Sequence, residues 1–374
     1  MAARASTLAQ GFSQKLILEM YDISILDSIV NRDYEGEINA IGSKLNILNF
    51  DRITERTYTG SNLAAATALT ENNTQLTIDQ YKSFYWQEKT LDNWLSYIKD
   101  PHPTVVRQKA EERARNMELF AFALYTKVQA GNRDGTAYTT GTVTIDVNGV
   151  VTPAGGATFS AAFEGRGLKA LGHTTYYRVK VGSYAAQGNG NLVIEDDLDD
   201  VTSQYTGGAI GGGATFTVEA VTAVSITTSN LVARVAALRQ FLDKAEANGH
   251  NAVPDSDRYL IVPPEFQNTV VRSTGVVLSV DEVYTDLIQK GYIGSLLGFK
   301  IFRSNRLTGD NTNGYHVLAG HPNWMTFAEK LLQADIEEVV IGNFGTNYKD
   351  LFVYGAKVAD KRRSFAAEGF WTFA

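Results

Sequence analysis

The sequence predicts an α+β chain built on one long helix and interrupted by an all-β unit. Three observations carry that reading. Apolar or small residues recur at Val106, Ala110, Ala114, Met117, Ala121, Leu124 and Val128, at steps of three and four that mark one face of a helix. The composition then changes: residues 134–228 hold 16 of the 33 glycines and 16 threonines, with no helical period. Helical, mixed-charge sequence resumes directly afterwards, with Leu231, Val235, Leu238, Leu242 and Ala245 on one face.

The long helix is expected from Pro103 to Gly131. Proline is tolerated in a first helical turn, where its missing N–H would be unpaired anyway. Arg107, Lys109, Glu111, Arg113, Arg115 and Glu118 lie on the opposite face, with both signs mixed. Gly131 can take the left-handed conformation that ends helices. About 27 residues at ~1.5 Å rise make a rod of roughly 40 Å.

Ahead of the rod, a polar leader gives way to Leu16–Val30, whose apolar residues Leu16, Ile17, Met20, Ile23, Ile25, Leu26, Ile29 and Val30 have too little surface nearby to form a core. This arm must lie on later chain or on another subunit. Strands are expected at Leu45–Ile53 and Leu76–Gln87, the second with Leu76, Ile78, Phe84 and Trp86 in one phase. The loop Tyr58–Asn73 joins them. Two strands alone are marginal and need a surface to rest on.

Within 134–228, β-type runs fall at Thr142–Val147, Tyr176–Val181, Leu192–Ile194 and Thr215–Val221, bounded by Gly or Asn turns. Beyond them a helix is expected over Asn230–Asn248, capped by Ser229 and ended by Gly249. Arg258–Val262 reads as a strand, and Pro263-Pro264 as the opening of a helix through Arg272. Ser279 would cap a further helix ending near Gly291. A tight turn at Gly298 leads into a strand at Phe299–Phe302. A helix near Trp324–Leu332 follows, then strands Leu351–Val358 and Glu368–Phe373, separated by the basic turn Lys361-Arg362-Arg363.

At 374 residues the chain exceeds what one core usually supports. A net charge of −7 argues against a basic surface that wraps nucleic acid. The absence of cysteine excludes disulfides, thiol chemistry and cysteine-ligated zinc. Met1–Gln10 lacks a signal-type apolar run and no stretch of 18 apolar residues occurs, so a soluble, unexported protein without a membrane partner is expected.

Catalysis finds no support in the residue pattern. His102, His173, His250, His316 and His321 are scattered without ligand spacing, and His321 reads as a hydrogen-bonded structural histidine. Gly207-Gly208 and Gly211–Gly213 lack the Lys-Ser/Thr of a phosphate loop and read as a flexible hairpin tip. Glu195–Asp200 lacks the spacing of a calcium loop and reads as a solvated acidic turn. No Gly-x-Ser-x-Gly elbow is present. The expectation is a protein that is not an enzyme, with no catalytic residue, metal or cofactor.

The order of these pieces resembles the major capsid proteins of tailed bacteriophages with the Hong Kong 97-type capsid fold, and among them the phage P22 coat group. The matching segments are Ile29–Gly36, Leu76–Asp79, Arg258–Pro264, Gly291–Leu307, Ala319-Gly320-His321 and Val353–Val358. The resemblance implies an N-terminal arm (1–43), an extended loop (44–88) and a peripheral domain with the spine helix (89–133); the inserted β-domain (134–228), read from its composition, departs from the family's core. An axial domain (229–320) and return strands (321–374) complete the implied set. The resemblance also implies a virion shell protein, made in the bacterial cytoplasm, that assembles with itself into hexamers and pentamers. Further implied partners are a separate scaffolding protein, a portal protein, a cement or decoration protein and, non-specifically, packaged double-stranded DNA.

Asp51, Arg52, Glu55, Arg56 and Lys82 on the projecting hairpin are the candidate intersubunit contacts. With no long charged segment ahead of the arm, no large N-terminal cleavage is expected. An encapsulin-like compartment shares the fold and is the alternative; a carbohydrate-binding or adhesive module at 134–228 is the alternative from another class.

Overall fold

The computed structural model describes residues 24–33, 44–50, 71–89, 102–197, 204–246, 251–273, 291–338 and 345–374. The chain divides into two compact units, 1–117 with 325–361 and 118–324 with 362–374. The spine is an α-helix over His102–Phe122 that tightens into a 3-10 turn at Ala123–Lys127, so it is shorter than the apolar period predicts. That period does mark the buried face, where Val106, Ala110, Ala114, Met117, Ala121 and Val128 are all buried. In the tightened end, arginines take the carbonyls that a longer helix would use internally. Arg133 Nη2 donates to Thr126 O and Val128 O (3.1 and 3.2 Å), and Arg363 Nε donates to Lys127 O (3.0 Å). Gly131, at φ +98°, lies beyond that turn.

Two residues of the charged face, Arg113 and Glu118, are buried. Arg113 donates to Asp350 Oδ1 at 3.0 Å and lies over the rings of Phe84 and Phe352. Glu118 pairs with Arg306 at 3.0 Å. Periodicity alone cannot separate a buried charge with a distant partner from a solvated one.

In the first unit, Lys44–Phe50 pairs antiparallel with Glu71–Thr77. The strand expected over 76–87 is broken at Ile78-Asp79. Its first part completes this hairpin; Gln80–Lys89 instead pairs with Gly345–Val358, which pairs in turn with Met325–Glu338. Leu45, Ile47, Leu76 and Ile78 pack with Ala328 and Val353. Gly355 permits this approach, since a Cβ there would sit 2.6 Å from Thr77 O. The helix expected near Trp324–Leu332 is instead a 3-10 turn at Pro322–Trp324 followed by the long strand. The helix-favouring run Ala328-Glu-Lys-Leu-Leu332 is overridden by a pairing partner along nearly its whole length. Of the arm, Ile25, Leu26, Ile29 and Val30 are buried. Later chain receives them: Asn31 N donates to Met325 O and Phe327 N to Asn31 O, both at 2.9 Å.

In the second unit, one sheet runs in the order Val224–Ile226, Ala366–Phe373, Gly314–Gly320, Tyr259–Val262, Phe299–Arg303, Tyr292–Leu296. The helices Leu231–Asp243 and Pro264–Arg272 belong to this unit. The first starts from Asn230, not Ser229, and Asn230 Oδ1 accepts from Thr227 N (2.8 Å) rather than capping the helix. The Leu297-Gly298 turn is left-handed at both residues, φ +52° and +81°. The Lys361–Arg363 turn is a 3-10 turn, Asp360–Phe365, in which Arg363 is buried.

Residues 136–222 carry a further sheet of eight strands, ordered 210–214, 142–145, 150–154, 192–195, 177–179, 167–170, 216–222, 136–138. One end strand, 210–214, is joined through Thr215 alone to 216–222, the strand next to the opposite end. The sheet therefore curls back on itself around Val143, Ile145, Val151, Phe163, Leu168, Val179, Leu192, Ile194, Phe216 and Val218. Gly211–Gly213 lie in an edge strand, not a loop tip, and a short helix at Ser183–Gln187 is added that the composition did not announce. The helix expected from Ser279, the end at Gly249 and most of the Tyr58–Asn73 loop fall outside the described residues.

Candidate functional site

Of the predicted contact residues, Lys82 is described and exposed; Asp51, Arg52, Glu55 and Arg56 lie outside the described residues. Lys82 sits on the outer strand of the three-stranded sheet, opposite Phe352. Its neighbours Tyr81 and Tyr85 are 45% and 68% exposed, although strand alternation alone gives no reason for two tyrosines to face water. The other side of this strand meets the spine: Lys109 Nζ lies 5.2 Å from the Phe84 ring and 5.0 Å from that of Trp86. Burial pulls the Lys109 ammonium down to about 8 against the raising effect of Asp350. The strand thus combines an inward cation-stacked face with an outward tyrosine surface.

The second feature is a joint of buried charge in the other unit, at the exit of the spine. Glu368 on the closing strand is fully buried. It accepts from Arg166 Nη1 at 2.9 Å and His316 Nδ1 at 2.7 Å, with Arg133 Nε 3.3 Å away. Burial alone would raise its carboxyl; Arg166, Arg133 and the His316 hydrogen bond outweigh that and hold it at about 2. The His316 ring is stacked between Tyr125 and Phe370. Glu219 accepts from Gly167 N (2.9 Å) and Gly131 N (2.7 Å), and burial pushes its carboxyl up to about 7 against the lowering effect of Arg133.

Asp197, from the run read as a solvated acidic turn, is also part of this joint. Its carboxylate accepts from Arg363 Nη2 (2.6 Å), Gln129 Nε2 (2.9 Å) and Ala130 N (2.6 Å). The acidic run concealed this role because Arg363 and Gln129 lie far from it in sequence. The glycines beside Glu219 were the available signal: a Cβ on Gly167 would collide with the Glu219 carboxylate.

Among the described residues, no group of three or more His, Asp or Glu could hold a metal ion. His173 Nδ1 accepts from Ala170 N, and Nε2 lies 2.6 Å from Tyr205 Oη, which donates to Gly208 O. His321 Nδ1 accepts from Asn323 N at 3.2 Å, as a structural histidine would. No described helix is long and apolar enough to cross a membrane.

A spine helix, a separate strand hairpin and buried charge that joins elements describe a structural scaffold. Comparison with solved structures agrees on the fold. The chain is similar to the capsid of Ralstonia phage GP4 (TM-score 0.51, 12% identity, 91% of this chain and 87% of that one). It is also similar to a structure from Mycobacterium phage Che8 (0.50, 18%, 92% and 90%) and to the capsid of cyanophage P-SCSP1u (0.50, 13%, 94% and 89%). This is the Hong Kong 97-type phage capsid fold. No curated protein matches the chain. Residues 177–367, half of the chain, match the family model described as phage capsid protein, and the chain belongs to that family. It is a major capsid protein that associates with itself to form the phage shell. The match favours this over the encapsulin-like and carbohydrate-binding readings.

Proposed function

We propose that this capsid protein closes its shell as hexamers and pentamers through an arm (1–43), an extended loop (44–88) and the outer strand that carries Lys82. The observation that carries the reading is the tyrosine surface of that strand, on the face opposite to Lys82 by strand alternation. Tyr81 and Tyr85 leave aromatic area in water on a strand whose other face is already packed. A neighbouring copy would cover it, and the shell would sum many interfaces of roughly standard ~1,600 Å² and moderate affinity. Asp51, Arg52, Glu55 and Arg56 are proposed contacts of the same loop.

Residues 89–133 would form the peripheral domain, 134–228 an inserted β-domain, 229–320 the axial domain and 321–374 the return strands. The curled sheet over 136–222, with its own apolar core, supports the assignment of the insert; a relation to the phage P22 coat group is proposed from the matching sequence segments alone. A protein with these roles needs no catalysis, and we infer that it is not an enzyme. The net charge of −7 supports weak, non-specific contact with packaged DNA, since a lining that held phosphates tightly would hinder entry. A separate scaffolding protein guiding closure, a portal protein and a cement or decoration protein complete the proposed set of partners. Deletion of residues 1–43 tests the arm: soluble subunits or aberrant particles are expected, and normal shells would overturn it.

A further inference from the structure

Asparagine is followed directly by glycine at Asn148, Asn189, Asn248 and Asn313. An Asn-Gly step is chemically labile because glycine has no Cβ to shield its backbone nitrogen or to restrict rotation. That nitrogen can close on the asparagine carboxamide when the backbone turns to bring the two together. A hydrogen bond or a packed wall at the step removes this freedom. Asn248-Gly249 lies outside the described residues; the other three steps differ sharply in how they are held.

Two of them are clamped. Gly149 N donates to Asp146 O (3.1 Å), and Gly149 O accepts from Ile194 N (2.8 Å). The Asp146 carboxylate takes Asn148 N and Val150 N as well, both at 2.8 Å. A Cβ on Gly149 would collide with Ile194 O and sit 2.7 Å from Tyr205, so the turn has no room to rearrange. At Asn313 the carboxamide itself is fixed: Nδ2 donates to Asp310 Oδ2 (2.9 Å) and the backbone N to Asp310 Oδ1 (2.7 Å). Gly314 opens a strand opposite Asp310, and a Cβ there would lie 2.6 Å from both Ala223 and the Phe370 ring.

Asn189 has none of these restraints. It is exposed, in the bend between the short helix Ser183–Gln187 and the strand Leu192–Glu195. Gly188 and Gly190 flank it at φ +65° and +72°, and a Cβ on either would meet nothing within 4 Å. Among the described residues, no hydrogen bond holds its carboxamide or Gly190 N.

We propose that Asn189 is a self-modification site of the β-unit, at which the folded protein deamidates through a cyclic imide to aspartate and isoaspartate. Gly190 N attacks Asn189 Cγ. Its proton passes to solvent and a proton returns on Nδ2, which leaves as ammonia when the Cγ–Nδ2 bond breaks. Water then opens the imide at one of its two carbonyls. Cleavage between Gly190 N and Cγ leaves aspartate; cleavage between Gly190 N and the Asn189 main-chain carbonyl leaves isoaspartate. Each event exchanges a neutral amide for a carboxylate, adding one negative charge to a chain already at −7. The extra main-chain atom of isoaspartate falls between two glycines with open space around them. The unit thus gains charge with age while its apolar core stays packed.

The test is peptide mapping by mass spectrometry on the full-length protein, held at mildly alkaline pH and body temperature, beside the same protein in urea. In the native protein Asn189 should convert at least about tenfold faster than Asn148 and Asn313, whose steps wait on local opening. In urea the three rates should converge, since the clamps are gone and the same Asn-Gly step is exposed at each. Separation of aspartate from isoaspartate peptides should show both products at position 189. An intact Asn189 in the native protein, equal native rates at the three sites, or a ranking that persists in urea would overturn the proposal.

Discussion

Replacing Glu368 with glutamine probes the buried joint most sharply. The side chain is fully buried and accepts from Arg166 and His316, with Arg133 in ionic contact. Glutamine keeps the volume but leaves two buried guanidiniums without this counter-charge. Removing one partner of a buried ion pair costs about 3–5 kcal/mol. A second route reaches a similar size. Held at about 2 against an ordinary value of 4.5, the carboxyl contributes about 3 kcal/mol at roughly 1.4 kcal/mol per pH unit. Because its folded value is depressed, that contribution is present above pH 4.5 and lost as pH falls toward 2. Urea unfolding at pH 7 should therefore place Glu368→Gln about 3 kcal/mol below wild type, with the gap closing as both are acidified. A variant within 0.5 kcal/mol of wild type at pH 7, or a gap unchanged at pH 3, would refute the assignment.

Gly298→Val should lower the melting temperature and particle yield, because a β-branched residue at φ +81° costs at least ~1–2 kcal/mol and its Cβ would lie 3.3 Å from Arg239 Nη1; unchanged melting and yield would contradict it. Residues 132–228 expressed alone should show a β-type circular dichroism spectrum and a cooperative melt, whereas a disordered spectrum would mean that the unit folds only with its neighbours. Lys82→Glu combined with Tyr85→Ser should leave the subunit's melting within about 1 kcal/mol of wild type, as for other exposed substitutions, while reducing assembled particles in sedimentation; normal assembly would remove this strand from the interface.

The spine, the apolar faces of both long helices and the β-rich stretch were legible because their signals are local. Val106 through Val128 recur at helical steps, and threonine-rich runs between glycine turns announce short strands. What escaped depended on partners distant in sequence. Ala328–Leu332 has helix-forming residues, yet hydrogen-bonding partners from Phe352 to Gly355 make it a strand. Arg113 reads as one charge among several on a mixed-sign face, and only Asp350 and Phe352 make it a buried one. The joint was illegible for the same reason. Arg133, Arg166, Asp197, Glu219, Arg363 and Glu368 come from five separate stretches, and no spacing rule connects them. Lys82 was singled out, but Tyr81 and Tyr85 on the other face of its strand were not, since an alternating strand gives no sign of which face stays in water.

Imaging particles of the purified full-length protein by electron microscopy tests the central claim most directly. Closed icosahedral shells with hexameric and pentameric capsomers are the predicted result, with double-stranded DNA inside particles taken from virions. A protein that stays monomeric under every assembly condition, or shells that carry an enzyme cargo in place of DNA, would contradict it.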